Sequence, residues 1–422
     1  MKPLKITVIG GGSTYTPELI DGFIRYHDEL PIDCIALHDI SPERLNIVGG
    51  LAQRMLAKSG IELQLTTNRT EAITEADFVV SQLRVGGMAA RALDEHIPLK
   101  YGIIGQETTG PGGFAKALRT IPVMLDIANE IARLAPQAWL INFTNPSGVI
   151  TEAILRHTGV KAVGLCNVPI NMQRNIANVL GIEPHRVELD YIGLNHLSVA
   201  RRVWVDGEDV TRSLLANEEV RATYHLSHSL LDKLGMIPNY YLRYFFNPDQ
   251  VLKEQLEAPQ SRAEYLQSVE ADLLQMYADP KLDKKPELLE ERGGAYYSTA
   301  AVELIRAIAQ DRHEVHIVNV QNGNALSDLP AESVVEVPAV ISKSGAKPLV
   351  CGSLPVSIRG LITAVKAYEE LTIDAAVTGN EATAQLALLS HPLVPSWDVA
   401  VALWQDLKQA HRAYLPQFVE EQ

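Results

Sequence analysis

Through the first half of the chain, short apolar runs alternate with longer stretches of helical periodicity. Residues 6–9 read as a buried strand, followed by a glycine cluster and an apolar periodicity through Leu19, Ile20 and Phe23. Residues 34–38 read as a second strand, ending at Asp39. Ser41-Pro42-Glu43 then has the form of a helix N-cap with proline at the first helical position. Further strands are predicted at 62–66, 78–83, 138–142 and 162–165, with helices at 45–58, 114–134, 146–157 and 170–180 separating several of them. Strands alternating with helices predict a parallel sheet with crossovers. Residues 1–195 are therefore read as a doubly wound α/β domain.

After His196 the rhythm changes. Residues 199–205 read as a strand closed by a turn at Asp206-Gly207, and 226–280 as mainly helical. Residues 281–292 are charge-rich, a solvated connector or a helix start. A helix is predicted at 296–310, strands at 315–320 and 334–341, and long helices at 358–390 and 397–418. Residues 196–422 are read as an α+β domain for substrate binding and assembly, packed against the first. Nowhere does the chain hold the run of about 18 apolar residues that a membrane span needs.

Composition narrows the partners. The 422 residues suit two or three structural units, and 37 basic against 51 acidic residues give a net charge of −14. That balance argues against nucleic acid or an anionic membrane as partner. A small anionic substrate stays open, because a few arginines can outweigh the global field. Three scattered cysteines, Cys34, Cys166 and Cys351, make no disulfide framework. The N-terminal segment enters a strand directly, with no long apolar leader, so a cytoplasmic protein is expected.

Gly10-Gly11-Gly12-Ser13 lies between a predicted strand and helix, where glycines permit a tight turn and close approach of a dinucleotide pyrophosphate. Tyr15 stands where the third glycine of the usual fingerprint would be, and a plain strand–helix turn is the competing reading. Asp39, at the end of the next strand, suits the adenosine ribose and favours NAD over NADP. The first domain is thus expected to be Rossmann-like.

Other polar clusters follow the strand ends, where open α/β sheets place ligands. They are Arg84-Val85-Gly86-Gly87 with Arg91; Gly105-Gln106-Glu107-Thr108-Thr109-Gly110-Pro111-Gly112-Gly113; Asn142-Phe143-Thr144-Asn145-Pro146; Cys166-Asn167-Val168-Pro169; and Gly193-Leu194-Asn195-His196. Taken singly, each has a dull explanation: a lone cysteine after an apolar run is usually a small buried hydrophobe. In combination with Pro238-Asn239-Tyr240-Tyr241-Leu242-Arg243-Tyr244 and Arg292-Gly293-Gly294, they resemble glycoside hydrolase family 4 through nearly the whole chain. These are NAD- and divalent-metal-dependent glycosidases, and the wording of the motifs is most similar to the 6-phospho-β-glucosidase branch.

The resemblance implies chemistry outside the two-carboxylate scheme of most glycosidases. Hydride passes from sugar C3 to NAD+, the acidified C2 proton is removed, the C1 aglycone is expelled, water adds, and C3 is reduced again with no net redox change. Cys166 and His196 match the metal ligands, with sugar oxygens and water completing the shell. Ligand softness alone would name zinc, iron or nickel first; the resemblance implies Mn²⁺. Tyr241 matches the base, although a register shift of one residue would put Tyr240 there. Glu107 matches a position that tunes the tyrosine, with plain helix or loop hydrogen bonding as the alternative.

Arg91, Asn145 and Arg292 match substrate contacts, and arginine suits a phosphate dianion through its planar fork. For Arg91 the alternative is an exposed helical arginine paired with Asp94 or Glu95. Asn167 stands where α-specific relatives carry aspartate, so the resemblance implies a β-linked substrate such as cellobiose 6-phosphate. It also implies a homodimer or homotetramer. Two other classes compete: an NAD-dependent dehydrogenase with net redox turnover, and a non-catalytic binder of NAD or sugar phosphate. The first lacks a recognisable pairing of catalytic His/Asp with a substrate-arginine loop.

Overall fold

The computed structural model describes residues 2–293 and 296–418, so Gly294 of the Arg292-Gly293-Gly294 motif lies outside the described residues. The strands are β1 (Leu4–Ile9), β2 (Ile32–His38), β3 (Glu62–Thr66), β4 (Phe78–Ser81), β5 (Trp139–Asn142), β6 (Lys161–Gly164), β7 (Val187–Leu194), β8 (Leu197–Val205), β9 (Glu208–Asp209), β10 (Ile237–Pro238), β11 (Glu314–Gln321), β12 (Val334–Ser342) and β13 (Gly345–Pro348). The first six pair in parallel in the order β3-β2-β1-β4-β5-β6, which is the strand order of the dinucleotide-binding fold. Helices cover both faces, so β4 is buried throughout and the strands read as apolar runs rather than alternating ones.

The sheet does not end where the first half of the chain ends. β11, β12 and β13 continue it beyond β6 with antiparallel pairing, giving nine strands drawn from both halves. β7 and β8 form a hairpin, joined by β9 and β10 in a second, antiparallel sheet.

Local chemistry explains the boundaries. Ser41 caps the Pro42–Leu56 helix by accepting from the Arg44 amide at 3.3 Å, with Pro42 at the first position as expected. The long helix starts at Gly110 rather than 114: its Gly-Pro-Gly-Gly start has loop composition, yet Pro111 in the first turn sacrifices no intrahelical bond. The predicted helix over 358–390 is two helices, Val356–Thr378 and Glu381–Ser390, because Gly379 turns left-handed and Asn380 caps the second. Likewise, Gly235 ends the His228–Leu234 helix, and β10 interrupts the helical reading of 226–280. β7 has no counterpart among the predicted strands: Glu188 and Asp190 break its apolar run. Arg201 Nε and Nη2 reach across from β8 to the Asp190 carboxylate at 3.0 and 2.8 Å.

One charged cluster ties the C-terminal helices to the sheet. Lys366, buried on the Val356–Thr378 helix, donates to Glu152 Oε2 at 2.7 Å, and the same oxygen accepts from the Val334 amide at 2.8 Å. Lys366 also lies 2.5 Å from Glu369 Oε2. Burial opposes its charge, but Glu369 and Glu152 outweigh burial and raise its pKa above the ordinary lysine value. Lys366→Met would leave Glu369 buried without its cation and Glu152 with only Arg156, 3.5 Å away. It should cost about 3–5 kcal/mol, read as a lower urea midpoint at pH 7; an unchanged midpoint would show the cluster to be dispensable.

Candidate active site

The carboxyl ends of β1, β4, β5 and β6 carry the polar clusters, and there the structure gathers them. At the end of β1, Gly10 adopts φ 90°, and a Cβ on Gly12 would sit 2.8 Å from the Asp39 carboxylate. Gly12 is therefore a cradle that only glycine fills. The Gly10 and Gly11 amides donate to His38 O at 2.9 and 2.8 Å, Gly12 N to Asp39 Oδ2 at 2.9 Å, and Ser13 N to Gly10 O at 3.0 Å. These four amides point inward, so the loop offers a diphosphate close approach rather than donors from those residues. Asp39 Oδ1 also accepts from Ser41 N at 2.9 Å. Each carboxylate oxygen thus retains a second lone pair, which fits a ribose diol. The loop fits a dinucleotide.

Beside it lies a charged cluster. Arg44 and Arg292 share Glu270, Nη2 to Oε1 at 2.8 and 3.6 Å, and Arg292 lies over the Tyr15 ring at 5.9 Å. Burial and the nearby Arg84 disfavour charge on Arg292, against the pull of Glu270. Arg84 in turn pairs with Glu107, which also holds Arg91 at 3.1 Å and Lys116 at 2.7 Å. Burial alone would raise the Glu107 pKa; Arg84, Arg91 and Lys116 together push it well below the ordinary value. Lys116 falls to about 7, through burial and then Arg84. Arg91 is buried, which removes the exposed-arginine alternative, although it does pair with Glu95 at 2.7 Å. Asp94 belongs to Arg119, at 2.8 and 2.5 Å.

Cys166 follows β6, and His196 occupies the two-residue turn between β7 and β8. Cys166 Sγ lies 3.4 Å from His196 Nε2. Ligand bonds of about 2.3 Å to sulfur and 2.0–2.1 Å to nitrogen, at angles between octahedral and tetrahedral, separate two donors by about 3.1–3.5 Å. The pair therefore fits a single divalent ion. Among the described residues no group of three or more His, Cys, Asp or Glu side chains could hold a metal, so further coordination positions would fall to oxygens from outside that set. Thr108 Oγ1 sits 2.9 Å from His196 Nδ1 and 2.9 Å from Gln106 Oε1. With Nδ1 protonated, the chain runs from imidazole to hydroxyl to amide oxygen and leaves Nε2 as the donor. Burial lowers the His196 pKa to about 3, keeping the ring neutral, and burial followed by the charge of Glu336 pushes Cys166 up to about 12. A bound cation reverses the thiol's preference.

Tyr241 stacks on His196, ring centroids 3.9 Å apart and planes within 7°. Tyr240 is instead 39% exposed and meets Tyr241 edge-on at 5.4 Å. The Tyr241 pKa is raised, first by burial and then by Cys166 and Glu107, while Arg91 lowers it. Glu107 thus makes the phenol harder to ionise; its contacts are with the three cations. Asn145 precedes a cis proline, and its Oδ1 is buried without a partner. Its side chain bonds Tyr297, whose pKa also responds to the Cys166 and Tyr241 charges. Asn167 Oδ1 lies 3.9 Å from Cys166 Sγ.

The structure therefore brings Glu107, Arg91, Cys166, His196, Tyr241, Asn145 and Asn167 into one region. Gly10–Ser13, Asp39 and Arg292 form its neighbour, with Arg84 acting electrostatically on both. Arg84, Lys116, Thr108 and Glu336 are residues that sequence reasoning passed over. Arg84 and Thr108 stood inside the quoted motifs, whereas Lys116 on a helix and Glu336 in β12 carry no local signal.

Comparison with known proteins identifies the family. Residues 5–182 match the model of Family 4 glycosyl hydrolase and residues 191–394 that of its C-terminal domain. A Bacillus subtilis (strain 168) protein named a probable 6-phospho-β-glucosidase is 48% identical, over 99% of this chain and 98% of its own. The structure of the Thermotoga maritima 6-phospho-β-glucosidase with manganese, NAD+ and glucose-6-phosphate matches with TM-score 0.93 and 38% identity, over 97% of this chain and 99% of that one. A lactate dehydrogenase of Eimeria maxima, at 17% identity and TM-score 0.53, shares the fold. Matched from residue 5 to residue 394 by the two family models and over almost its full length by such relatives, the chain belongs to glycosyl hydrolase family 4.

Proposed function

We propose that the chain is an NAD- and divalent-metal-dependent 6-phospho-β-glucosidase, and that its working residues are those gathered above. The observation that carries this reading is the Tyr241 ring lying flat on the imidazole of the Cys166–His196 pair. A base is thereby held against the two donors able to anchor a Lewis acid. When bound, NAD+ supplies a hydride acceptor and donor for sugar C3, and the ion, Mn²⁺ by likeness to the T. maritima enzyme, supplies electrophilic stabilisation at the C2 and C3 oxygens. Gly10–Ser13 and Asp39 hold the dinucleotide; Cys166 and His196 hold the metal.

Tyr241 removes the C2 proton. Its pKa lies above the ordinary phenol value, so ionisation at neutral pH requires added positive charge beside it. Arg91 and Arg292 take the substrate phosphate, with Glu107 fixing Arg91 and leaving part of its guanidinium fork for an anion. The buried, unpartnered Asn145 Oδ1 accepts a sugar hydroxyl. Asn167 brings no carboxylic proton to the leaving group, which supports the β linkage, as do the names of both relatives. A phosphorylated disaccharide such as cellobiose 6-phosphate fits. In this reading residues 1–195 bind the nucleotide and share the substrate with residues 196–422, which also serve assembly.

A phosphorylated sugar is made and kept inside cells, which supports a cytoplasmic enzyme; no helix of the described residues is long and apolar enough to cross a membrane. Exposed Val377, Leu386, Leu389 and Trp397 on the C-terminal helices support assembly as a homodimer or homotetramer.

Two experiments test the proposal. Hydrolysis of p-nitrophenyl β-glucoside 6-phosphate should require NAD+ and Mn²⁺, each omission abolishing it, with the α-anomer and the unphosphorylated glucoside uncleaved. Cleavage of the α-anomer would remove the argument from Asn167, and stoichiometric NADH accumulation would favour net redox turnover. Second, Cys166→Ser should lose metal-dependent activity, and Tyr241→Phe should lower kcat by about 10²–10⁴-fold with NAD+ binding intact. Near-normal turnover in either variant would take that residue out of the chemistry.

A further inference from the structure

His196 is held in a backbone conformation that residues other than glycine seldom take up. At φ 65° it is left-handed, in a turn of only two residues between β7 and β8. A residue other than glycine persists there only where its surroundings enforce it. The enforcement is traceable. Asn195, the other turn residue, accepts from the Gly148 amide at 3.4 Å and donates through Nδ2 to Glu336 Oε1 at 3.0 Å. The same oxygen accepts from Asn319 Nδ2 at 3.2 Å.

The other carboxylate oxygen serves the opposite side. Glu336 Oε2 accepts from Tyr191 Oη at 3.0 Å, and Tyr191 Oη in turn shares a 2.6 Å hydrogen bond with Ser198 Oγ, which stands 3.5 Å from Oε2. Ser198 Oγ accepts from Asn239 Nδ2 at 2.9 Å, and Asn239 Oδ1 accepts from the Tyr241 amide at 2.9 Å. Asn239 N also donates to Ser198 O at 2.9 Å. Glu336, Ser198, Asn239 and Asn319 are all buried, so neither oxygen has water to fall back on.

We propose that Glu336 is a positioning residue that joins the metal-side histidine and the base into one frame. One oxygen acts through Asn195 on the His196 turn, and the other acts through Tyr191, Ser198 and Asn239 on the Tyr241 turn. It touches neither substrate nor ion. The requirement it meets is geometric: His196 must face Cys166 and Tyr241 must lie on its ring, although the three come from different connections of the fold. Replacing the carboxylate removes an acceptor from one arm or both. Replacing one asparagine cuts one arm and spares the other.

This inference rests on the metal-site reading above, and the test separates the two. Mn²⁺ affinity is measured from the paramagnetic resonance of free aqueous Mn²⁺, NAD+ affinity by calorimetry, and turnover separately, in the full-length protein. Glu336→Gln should weaken Mn²⁺ binding by about 10–100-fold, as loss of a partner behind a metal ligand does, lower kcat, and leave NAD+ affinity unchanged. Asn195→Ala should weaken Mn²⁺ binding; Asn239→Ala should lower kcat with Mn²⁺ affinity unchanged. Folded Glu336→Gln with wild-type Mn²⁺ affinity overturns the proposal. Should Glu336→Gln fail to fold, the asparagine pair decides, and equal effects of the two on both readouts overturn it. Wild-type Mn²⁺ binding in Cys166→Ser would sink the metal-site reading, and this inference with it; binding lost in Cys166→Ser and kept in both Glu336→Gln and Asn195→Ala would sink the inference alone.

Discussion

Glu107 is largely enclosed and ionised, and the cations that keep it so arrive from three places: Arg84 just after β4, Arg91 on the Gly87–Leu99 helix and Lys116 on the Gly110–Leu134 helix. An uncompensated buried carboxylate costs several kcal/mol, so folding must bring these elements together. Arg84, Arg91 and Lys116 outnumber Glu107 and the Glu95 that also holds Arg91, which leaves a local excess of positive charge in a chain whose net charge is −14. That excess sits beside the glycine loop and its own cluster of Arg44, Arg292 and Glu270, through Arg84. The same constraint that anchors the helices thus leaves a concentrated field for anions at the carboxyl edge of the sheet.

The field alone would bind many anions. Reaction geometry comes from neutral contacts: a thiol and an imidazole 3.4 Å apart, a phenol stacked on the imidazole, and a hydroxyl and amide fixing the far ring nitrogen. Burial works in one direction on all of them, favouring uncharged thiol, imidazole and phenol. The protein by itself is therefore a neutral cup beside a positive wall. The charges that change during turnover are brought in by what binds.

Much of this was legible in the amino-acid order, for identifiable reasons. The parallel strands are continuous apolar runs, so β1 to β6 could be placed within a few residues, and 62–66 coincides with β3. The glycine loop, Cys166, His196 and Tyr241 stand at strand or turn ends inside short motifs, where local sequence carries the signal. What stayed hidden is non-local. Lys116 lies in a helix among apolar neighbours, and only folding sets it against Glu107. Glu336 lies in a strand that reads as plain β structure, and its four hydrogen-bond partners come from the β7–β8 hairpin and from β11. The merging of β11–β13 into the first sheet was hidden for the same reason, since strand neighbours in space follow from pairing and not from periodicity.

That merging governs the order in which the site is completed. As the chain emerges from the ribosome, β1 to β6 and their crossover helices are all present once residue 180 has appeared, and this parallel half can begin to condense on its own. Its outer edge at β6 stays without a neighbour until β11 arrives more than 130 residues later, and Glu336 enters later still, on β12. Contacts of such sequence separation form slowly. For that interval the nascent enzyme has a glycine loop and an exposed strand edge but no finished frame beneath His196. The nucleotide half is assembled early, and the chemical half is switched on only when the last strands dock.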